Sequence, residues 1–258
     1  MDELHATARG FDEVADAYER SRPSYPRAAL DVLVHDLGIA DGRTVLELGA
    51  GTGKLTRLLV DRGAHVVAVE PLPAMRAELA RRVPAARVLA GSAEAIPLPD
   101  AGDHREPPTA AVAAQAFHWF DAEAAFAELH RVLPLDSWFA VLFNRRDLAD
   151  AGQAAIDELL LPFRGDTPSW GSDAWRDDLR EPTGFRVTRR AAFAHTQQLD
   201  RAGLRARVAS VSFVAQLDTA SRDALAEQVD RRFAELASDG RVALAYVTEL
   251  TVMRRTAT

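Results

Sequence analysis

The spacing of apolar residues changes several times along the chain, and each change predicts a new element. Short runs that are apolar throughout predict buried strands, whereas apolar residues three and four positions apart predict helices with one buried face. Two helices are predicted first, and strands and helices then alternate from Thr44 to Phe143. Such alternation is typical of a parallel sheet that is covered by helices on both faces.

The individual elements follow from these runs and from the residues that break them. The predicted strands of the alternating region are Thr44–Leu48, His65–Val69, Arg87–Ala90, Ala110–Ala114 and Trp138–Phe143. The predicted helices are Phe11–Tyr18, Pro26–Leu37, a helix after Gly53, Pro73–Arg82 and Asp121–Leu133. Beyond Asn144 the pattern weakens, and Pro162–Gly184, rich in Pro, Gly, Asp and Trp, indicates a loop or irregular cap. A strand at Phe185–Phe193, helices at Asp200–Ala209 and Ser221–Ala237, and a last strand at Val242–Met253 complete the prediction.

Length, composition and charge restrict the classes of protein to which the chain can belong. The 258 residues, 48% of them hydrophobic and 27% charged, suit one α/β domain with a full core. The formal net charge of -7 disfavours a nucleic-acid or anionic-membrane surface, so no partner of either kind is expected. The absence of cysteine excludes disulfides, thiolate metal sites and a cysteine nucleophile. An acidic N-terminus and the lack of a long apolar run favour the cytoplasm as the location.

The strongest local signal is the glycine loop that follows the first predicted strand. Gly49, Gly51 and Gly53 stand in the pattern G-x-G-x-G, and glycine there lets a ligand lie against the backbone of a tight strand-to-helix turn. The spacing differs from the G-x-G-x-x-G of dinucleotide binders. Glu70 follows at the end of the second strand, where a carboxylate can accept hydrogen bonds from both ribose hydroxyls of a nucleoside. The alternative is a plain turn with an exposed Glu70.

Glu47, two residues before Gly49, helps to distinguish which nucleoside the loop binds. A dinucleotide would place its phosphates on the amides at the helix N-terminus. S-adenosylmethionine (SAM) has no phosphate but carries a sulfonium and an ammonium group. Glu47 could help orient that ammonium group, directly or through water.

Several motifs in the right order resemble the class I SAM-dependent methyltransferases, most closely their small-molecule group called methyltransferase type 11. The likeness covers nearly the whole chain. The N-terminal lid of that group is similar to Phe11–Tyr18 with Arg22–Pro26, and its SAM loop to Val45–Gly53. Its adenine-contacting turn is similar to Gly91–Pro97. The segment after its fourth strand is similar to Gln115–Asp121, and the helix end before its fifth strand to Glu128–Leu133.

The resemblance implies a fold and a role for each matching residue. The fold is an α/β, Rossmann-like, doubly wound seven-stranded sheet whose last strand is antiparallel, with an N-terminal helical lid and a small helical cap. One domain would span residues 1–258, with the lid at 1–40, the core at 41–144, and the cap and last strands at 145–258. The residues implied to bind SAM are Tyr18, Arg22, Glu47, Gly49, Gly51, Gly53, Glu70, Pro71, Leu72, Ser92, Ala93 and Gln115. Of these, Tyr18 and Arg22, together with Tyr25, would close over the cofactor.

The chain also departs from the family pattern. Ser92 stands where Asp is frequent, and Thr109 where Asp usually begins the fourth strand. The loop Asp103–Pro108 is unusual. Pro134–Trp138 replaces a Pro-Gly-Gly turn in which glycine supplies a positive φ. None of these departures touches the glycine loop.

Methyl transfer needs a nucleophile aligned with the methyl group and, for some acceptors, a base. His118 is the candidate catalytic base because it follows the fourth strand, whose C-terminal end faces the cofactor methyl in this fold; packing against Trp119 is an equal alternative. Tyr25 and Trp119 are candidates for binding the substrate, with lid packing as the alternative for Tyr25. No histidine has metal-binding spacing, and no G-x-S-x-G elbow is present.

The sequence therefore favours transfer of a methyl group from SAM to a small-molecule acceptor. A SAM-binding cyclase that transfers no methyl group and an inactive SAM-binding relative remain alternatives on the same fold. An NAD-dependent enzyme is the remaining alternative. Neither the acceptor nor the oligomeric state follows from the sequence.

Overall fold

The computed structural model describes residues 21–39, 42–103, 106–165, 174–180 and 182–257. The helices are α1 (Arg27–Asp36), α2 (Lys54–Val60), α3 (Pro73–Arg82), α4 (Ala122–Val132), α5 (Ala151–Leu160), α6 (Ala174–Asp178), α7 (Arg201–Ala209), α8 (Ser212–Ala215) and α9 (Thr219–Leu236). The strands are β1 (Thr44–Leu48), β2 (His65–Glu70), β3 (Arg87–Ala90), β4 (Ala110–Ala114), β5 (Trp138–Arg146), β6 (Phe185–Leu199) and β7 (Val242–Arg255). Short 3₁₀ turns lie at Ala101–Asp103, Phe117–Trp119 and Leu161–Phe163.

The seven strands form one sheet in the order β3-β2-β1-β4-β5-β7-β6. Strands β1 to β5 pair in parallel, with Val45 opposite Val66 on one side and Ala110 on the other. The last strand, β7, is antiparallel. This direction shows in its hydrogen bonds, since Arg255 N donates to Ser137 O at 2.8 Å before β5 begins and Asp147 N donates to Ala245 O at 3.1 Å after β5 ends. The predicted seven-stranded sheet with an antiparallel last strand and flanking helices is confirmed. The predicted lid helix Phe11–Tyr18 lies outside the described residues.

The chain divides into two compact units. The first unit comprises Ser24–Phe143, Ser172–Phe193 and Thr248–Thr258, and the second comprises Met1–Pro23, Asn144–Gly171 and Ala194–Val247, as far as the structure describes them. In the first unit most residues of β1, β2 and β4 are apolar and buried, as expected for parallel strands with helices on both faces. Among the described residues, no helix has the length and apolar character needed to cross a membrane.

The second unit is built on its own apolar cluster. Ile156 and Leu160 of α5, Leu204 and Val208 of α7, and Val229 of α9 belong to it. An aspartate caps the N-terminus of each of these three helices by accepting a backbone N–H: Asp150 from Gln153, Asp200 from Gly203 and Asp218 from Ser221. Side-chain caps of this kind replace hydrogen bonds that the first helical turn cannot make.

Several elements differ from the sequence prediction. Helix α6 lies within Pro162–Gly184, where a loop or irregular cap was predicted, and α8 was not predicted. In β5, β6 and α5 the differences arise where polar or small residues interrupt the apolar pattern. Strand β5 extends to Arg146 although its last three residues are polar, since Asn144 and Arg146 are buried. Strand β6 extends to Leu199 through Ala and Gln positions, which have little strand propensity. Helix α5 was not predicted, because Gly152 and Gln153 occupy part of its buried face.

The turn before β5 keeps the backbone conformation that glycine provides in the family. Asp136 has φ 65°, in the left-handed region, where Asp and Asn are the most tolerated of the non-glycine residues. Its carboxylate pairs with Arg254 at 3.1 Å. The missing glycines at Pro134–Trp138 therefore leave the positive φ in place.

Candidate functional site

The three glycines of the loop after β1 all have positive φ, and each meets a different environment. Gly49 (φ 66°) has no room for a side chain, since an added Cβ would lie 2.6 Å from Ala116 Cβ. Gly53 (φ 88°), the N-cap of α2, is blocked in the same way by Leu79 Cδ1 at 2.3 Å. A Cβ at Gly51 (φ 59°) would meet no atom within 4 Å. Gly51 is thus the position where the loop leaves open space for a ligand.

Glu70 lies at the end of β2 and is only 5% exposed. Its Oε2 accepts a hydrogen bond from Gly51 N and its Oε1 one from Leu72 N, both at 2.9 Å. Each carboxylate oxygen has a second lone pair that can accept a ligand hydroxyl. The buried Glu70 excludes the alternative of an exposed residue beside a plain turn.

Glu47, the fourth residue of β1, is 2% exposed. Its Oε2 accepts a hydrogen bond from Thr56 Oγ1 at 2.7 Å. Burial raises the pKa of Glu47 to about 8, the Thr56 bond opposes the rise, and the negative charge of Glu70 adds to it. The ligand-free protein therefore holds a proton on Glu47 at neutral pH, and a cation bound nearby would favour loss of this proton and pair with the carboxylate.

These features fit SAM better than a phosphate-bearing nucleotide. Two neighbouring buried carboxyl groups repel a phosphate, whereas the sulfonium and ammonium groups of SAM would reduce the repulsion between them. The open space at Gly51 adjoins one of these carboxylates, Glu70. The loop and both acids are in the first unit.

The turn after β3 holds the residues that the resemblance implies for adenine binding. Ala93 is buried, Ser92 is partly exposed, and Ser92 pairs with Ala95 in an antiparallel bridge. Pro71 is partly exposed and Leu72 buried after β2.

Two residues that sequence reasoning did not assign a role fix this turn to α4. Arg131 donates to Leu98 O at 2.6 Å and to Ile96 O at 2.8 Å. Glu128 binds Arg131 at 2.7 Å and accepts from Ile96 N at 2.7 Å. The hydrogen bond from Arg131 lowers the pKa of Glu128, against the effect of its burial. Their i, i+3 spacing on a helix was the available signal.

The segment after β4 contains a strained residue and the candidate base. Gln115 has φ 57°, which is costly for a residue other than glycine and tends to occur at functional sites. Its N–H donates to Leu142 O at 2.9 Å, which holds the strained backbone. His118 lies in the following 3₁₀ turn, partly exposed, with its ring 4.7 Å from that of Trp119 and 5.4 Å from that of Phe143. Both readings of His118, base and packing partner, are compatible with this position.

Of the three lid candidates, the structure describes Arg22 and Tyr25. Tyr18 lies outside the described residues. Arg22 belongs to the second unit, where its Nη2 donates to Ser210 O at 2.8 Å. Tyr25 is buried in the apolar cluster of the first unit. Their predicted roles in cofactor and substrate binding stay predictions.

Comparison with known proteins assigns the family. A family described as "Methyltransferase domain" matches residues 46–141. An uncharacterized methyltransferase of Mycobacterium tuberculosis is 36% identical over 242 residues, which are 92% of this chain and 92% of that protein. The chain belongs to the class I SAM-dependent methyltransferases. The predicted family and enzyme class are thereby confirmed.

Solved structures share this fold over most of the chain. A protein of Anaeromyxobacter dehalogenans described as a type II methyltransferase superposes with a TM-score of 0.63 at 23% identity, covering 91% of this chain and 97% of that chain. SpnF, described as a 4+2 cyclase, superposes with a TM-score of 0.58 at 16% identity, covering 97% and 96% of the two chains. At these identities the likeness concerns the fold alone.

Proposed function

We propose that this methyltransferase transfers the methyl group of SAM to a small-molecule acceptor. The observation that carries the proposal is the group formed by the open glycine loop, Glu70 and Glu47 in the first unit. SAM would lie over Gly51, with its ribose hydroxyls donating to Glu70. The ammonium group of the methionine part would favour the ionised form of Glu47 and pair with its charge, directly or through water.

The test of cofactor binding is titration calorimetry with SAM and S-adenosylhomocysteine. The Glu70→Ala variant should bind SAM at least about 100-fold more weakly, because two hydrogen bonds to a charged acceptor are lost. Glu123→Ala removes an exposed carboxylate from the first turn of α4 and serves as the matched control. Equal affinity in the wild type and Glu70→Ala would contradict the proposed cofactor site.

His118 would act as the base that removes a proton from the acceptor. His118→Gln keeps a polar side chain of similar size but cannot take up a proton near neutral pH. If His118 is the base, this variant should turn over about 100-fold more slowly, or slower still, and bind SAM as tightly as the wild type. If the ring only packs against Trp119 and Phe143, His118→Phe should restore the activity that His118→Gln loses.

The cyclase alternative is distinguished by the product. Methyl transfer produces one S-adenosylhomocysteine for each acceptor consumed, whereas a cyclase of the kind represented by SpnF would leave SAM unchanged. Methyl transfer is favoured because the relative that matches over 92% of the chain is named as a methyltransferase. Acceptor consumption without formation of S-adenosylhomocysteine would reject the proposal and favour the cyclase.

A further inference from the structure

The first unit contains an open cavity of about 430 Å³ on one face of the sheet. Residues of β5 and β7 form its floor, and α6 and β6 form its sides, so all the described lining residues belong to the first unit. The volume is within the range of about 300–1,000 Å³ that is typical of small-molecule sites. The glycine loop, Glu47 and Glu70 are not among the described lining residues, so the cavity is a different site from the one proposed for SAM.

Apolar side chains form most of the cavity wall. Val141 and Phe143 are alternate residues of β5 and therefore point to the same face of the sheet. Trp175 of α6 packs against Phe143, with the ring centres 4.9 Å apart, and Leu179 lies one turn further on. A wall of this kind fits the apolar, planar body of a ligand.

Glu249 of β7 is the only acidic residue among the described residues that line the cavity. Arg176 Nη2 donates to Glu249 Oε2 at 2.8 Å. The guanidinium of Arg176 also lies 4.6 Å from the centre of the Trp175 ring, a cation–π contact that holds it against the wall. The charges of Arg176 and Glu249 therefore offset each other.

Arg190 of β6 supplies positive charge that no acid offsets within the described ranges of the chain. Its Nη2 donates to Leu179 O at 2.8 Å, which fixes the guanidinium beside the cavity. The guanidinium has further N–H groups, and a carboxylate can accept two parallel hydrogen bonds from one arginine. Arg180, the third arginine of the lining, pairs with the exposed Asp177 at 3.2 Å. The charge at the cavity thus favours an anion.

Solvent reaches the cavity from the side of β6, the edge strand of the sheet. Arg190 and Ala192 are alternate residues of this strand, and both are exposed and line the cavity. A ligand would enter here with its apolar part directed at Phe143 and Trp175 and its charged group beside Arg190. Because that charge stays at the exposed mouth, the ligand avoids the full cost of burying an ion.

We propose that this cavity binds a small aromatic carboxylic acid and that Arg190 pairs with its carboxylate. A doubly charged phosphate ester would find one uncompensated guanidinium and a largely apolar wall, and an organic cation would be repelled by Arg190. The proposal does not depend on the proposed function, because the two sites have no described residue in common.

The test is calorimetric titration with 2-naphthoate and 2-naphthamide, which have the same shape but differ in charge. The wild type should bind 2-naphthoate with a Kd of about 1 mM or lower. It should bind 2-naphthamide at least about tenfold more weakly, and acetate, which has the charge without the rings, at least about 100-fold more weakly. No binding of 2-naphthoate would overturn the proposal, and equal Kd values for the acid and the amide would reject the carboxylate assignment.

Variants of β6 locate the ligand. Arg190→Met keeps the apolar part of the side chain and should weaken 2-naphthoate binding at least about tenfold. Its matched control is Arg186→Met, which removes one positive charge from an exposed position of the same strand outside the cavity and should bind as the wild type does. Ala192→Phe places a ring in the cavity and should abolish binding. Equal affinity of the wild type and Arg190→Met would contradict the proposed site.

Two other outcomes would also overturn the proposal. If Arg190 only holds the end of α6 through Leu179 O, Arg190→Met should have a lower Tm and an unchanged Kd for 2-naphthoate. If 2-naphthoate instead occupies the cofactor site, saturating S-adenosylhomocysteine should displace it. We expect no displacement and unchanged SAM affinity in Arg190→Met, so failure of this proposal can be told apart from failure of the proposed cofactor site.

Discussion

The backbone N–H of Gly51 donates to Glu70 Oε2 at 2.9 Å. This hydrogen bond joins the middle of the glycine loop to the acid at the end of β2, although the two are 19 residues apart in the sequence. The residue that would hold the ribose hydroxyls thus also fixes the loop over which the cofactor would lie. Loop position and ribose recognition therefore depend on one carboxylate.

Replacement of Gly51 by alanine should weaken SAM binding more than it weakens the fold. The new Cβ meets no protein atom within 4 Å, so the structural cost is that of φ 59° for a residue with a side chain, about 1 kcal/mol. The methyl group would enter the space proposed for the cofactor and reduce SAM affinity by about tenfold or more. Chemical denaturation and calorimetric titration measure the two effects separately.

Gly38→Ala is the matched control for that variant. Gly38 has φ 58° and, like Gly51, no atom within 4 Å of an added Cβ. It should lose a similar amount of stability and keep its SAM affinity. Equal SAM affinities for the two variants would mean that the cofactor does not lie over Gly51.

Glu47→Gln should change how stability depends on pH. The pKa of Glu47 is about 8 in the folded protein and near 4.5 in an unfolded chain. Between these values the folded state holds a proton that the unfolded state releases, so the wild type loses up to about 1.4 kcal/mol of stability per pH unit as the pH rises. Glutamine can accept the Thr56 hydrogen bond and does not titrate.

The Tm of the wild type should therefore fall relative to that of Glu47→Gln as the pH rises from 5 to 8. Above pH 8 the difference should become constant. Parallel curves over this whole range would show that Glu47 ionises at its ordinary pKa and is not buried as the structure places it.

Arg131→Met should weaken SAM binding although Arg131 is not among the residues proposed to contact the cofactor. The substitution removes the hydrogen bonds to Ile96 O and Leu98 O, so the proposed adenine turn becomes free to move. We expect about 1–2 kcal/mol less stability and several-fold lower SAM affinity. The control Arg81→Met removes an exposed ion pair with Glu78 and should change neither value appreciably.

Gly184→Ala should destabilise the first unit strongly. Gly184 has φ 69°, and its added Cβ would lie 1.8 Å from His130 Nε2. His130 cannot move aside without losing the hydrogen bond of 3.0 Å between its Nε2 and Gly184 O. The loss of unfolding free energy should exceed that of Gly38→Ala by about 1 kcal/mol or more, as measured by urea denaturation.

The sequence pattern predicted the sheet well wherever side chains are apolar and failed wherever buried side chains are polar. The strands β1, β3 and β4 begin and end at the predicted residues. Gly49 and Gly91 end the runs of β1 and β3, and the polar residues Thr109 and Gln115 bound the run of β4. The end of β5 was missed because buried Asn144 and Arg146 look like loop residues in sequence. Burial of a polar residue depends on a partner distant in the chain, such as Asp157 for Arg146, and the local pattern contains no record of it.

In the candidate site, too, features with a local sequence pattern could be predicted, and contacts with residues distant in the chain could not. The glycine loop and Glu70 could be proposed from sequence because the G-x-G-x-G spacing directly follows one predicted strand and the acid stands at the end of the next. The i, i+3 spacing of Glu128 and Arg131 was a signal for their ion pair only. Their attachment to the turn after β3 gave no signal, because Arg131 binds the backbone carbonyls of Ile96 and Leu98, which every residue type possesses.

Gly49 and Ala116 are packed so tightly that no methyl group fits between them. The glycine loop therefore packs directly against the segment that contains Gln115 and His118. Because close-packed groups transmit strain, a displacement of the loop would displace this segment as well. A cofactor that shifts the loop also shifts the proposed base. This enzyme would then be set for its acceptor only after SAM has bound, which gives an ordered sequence of binding with the cofactor first.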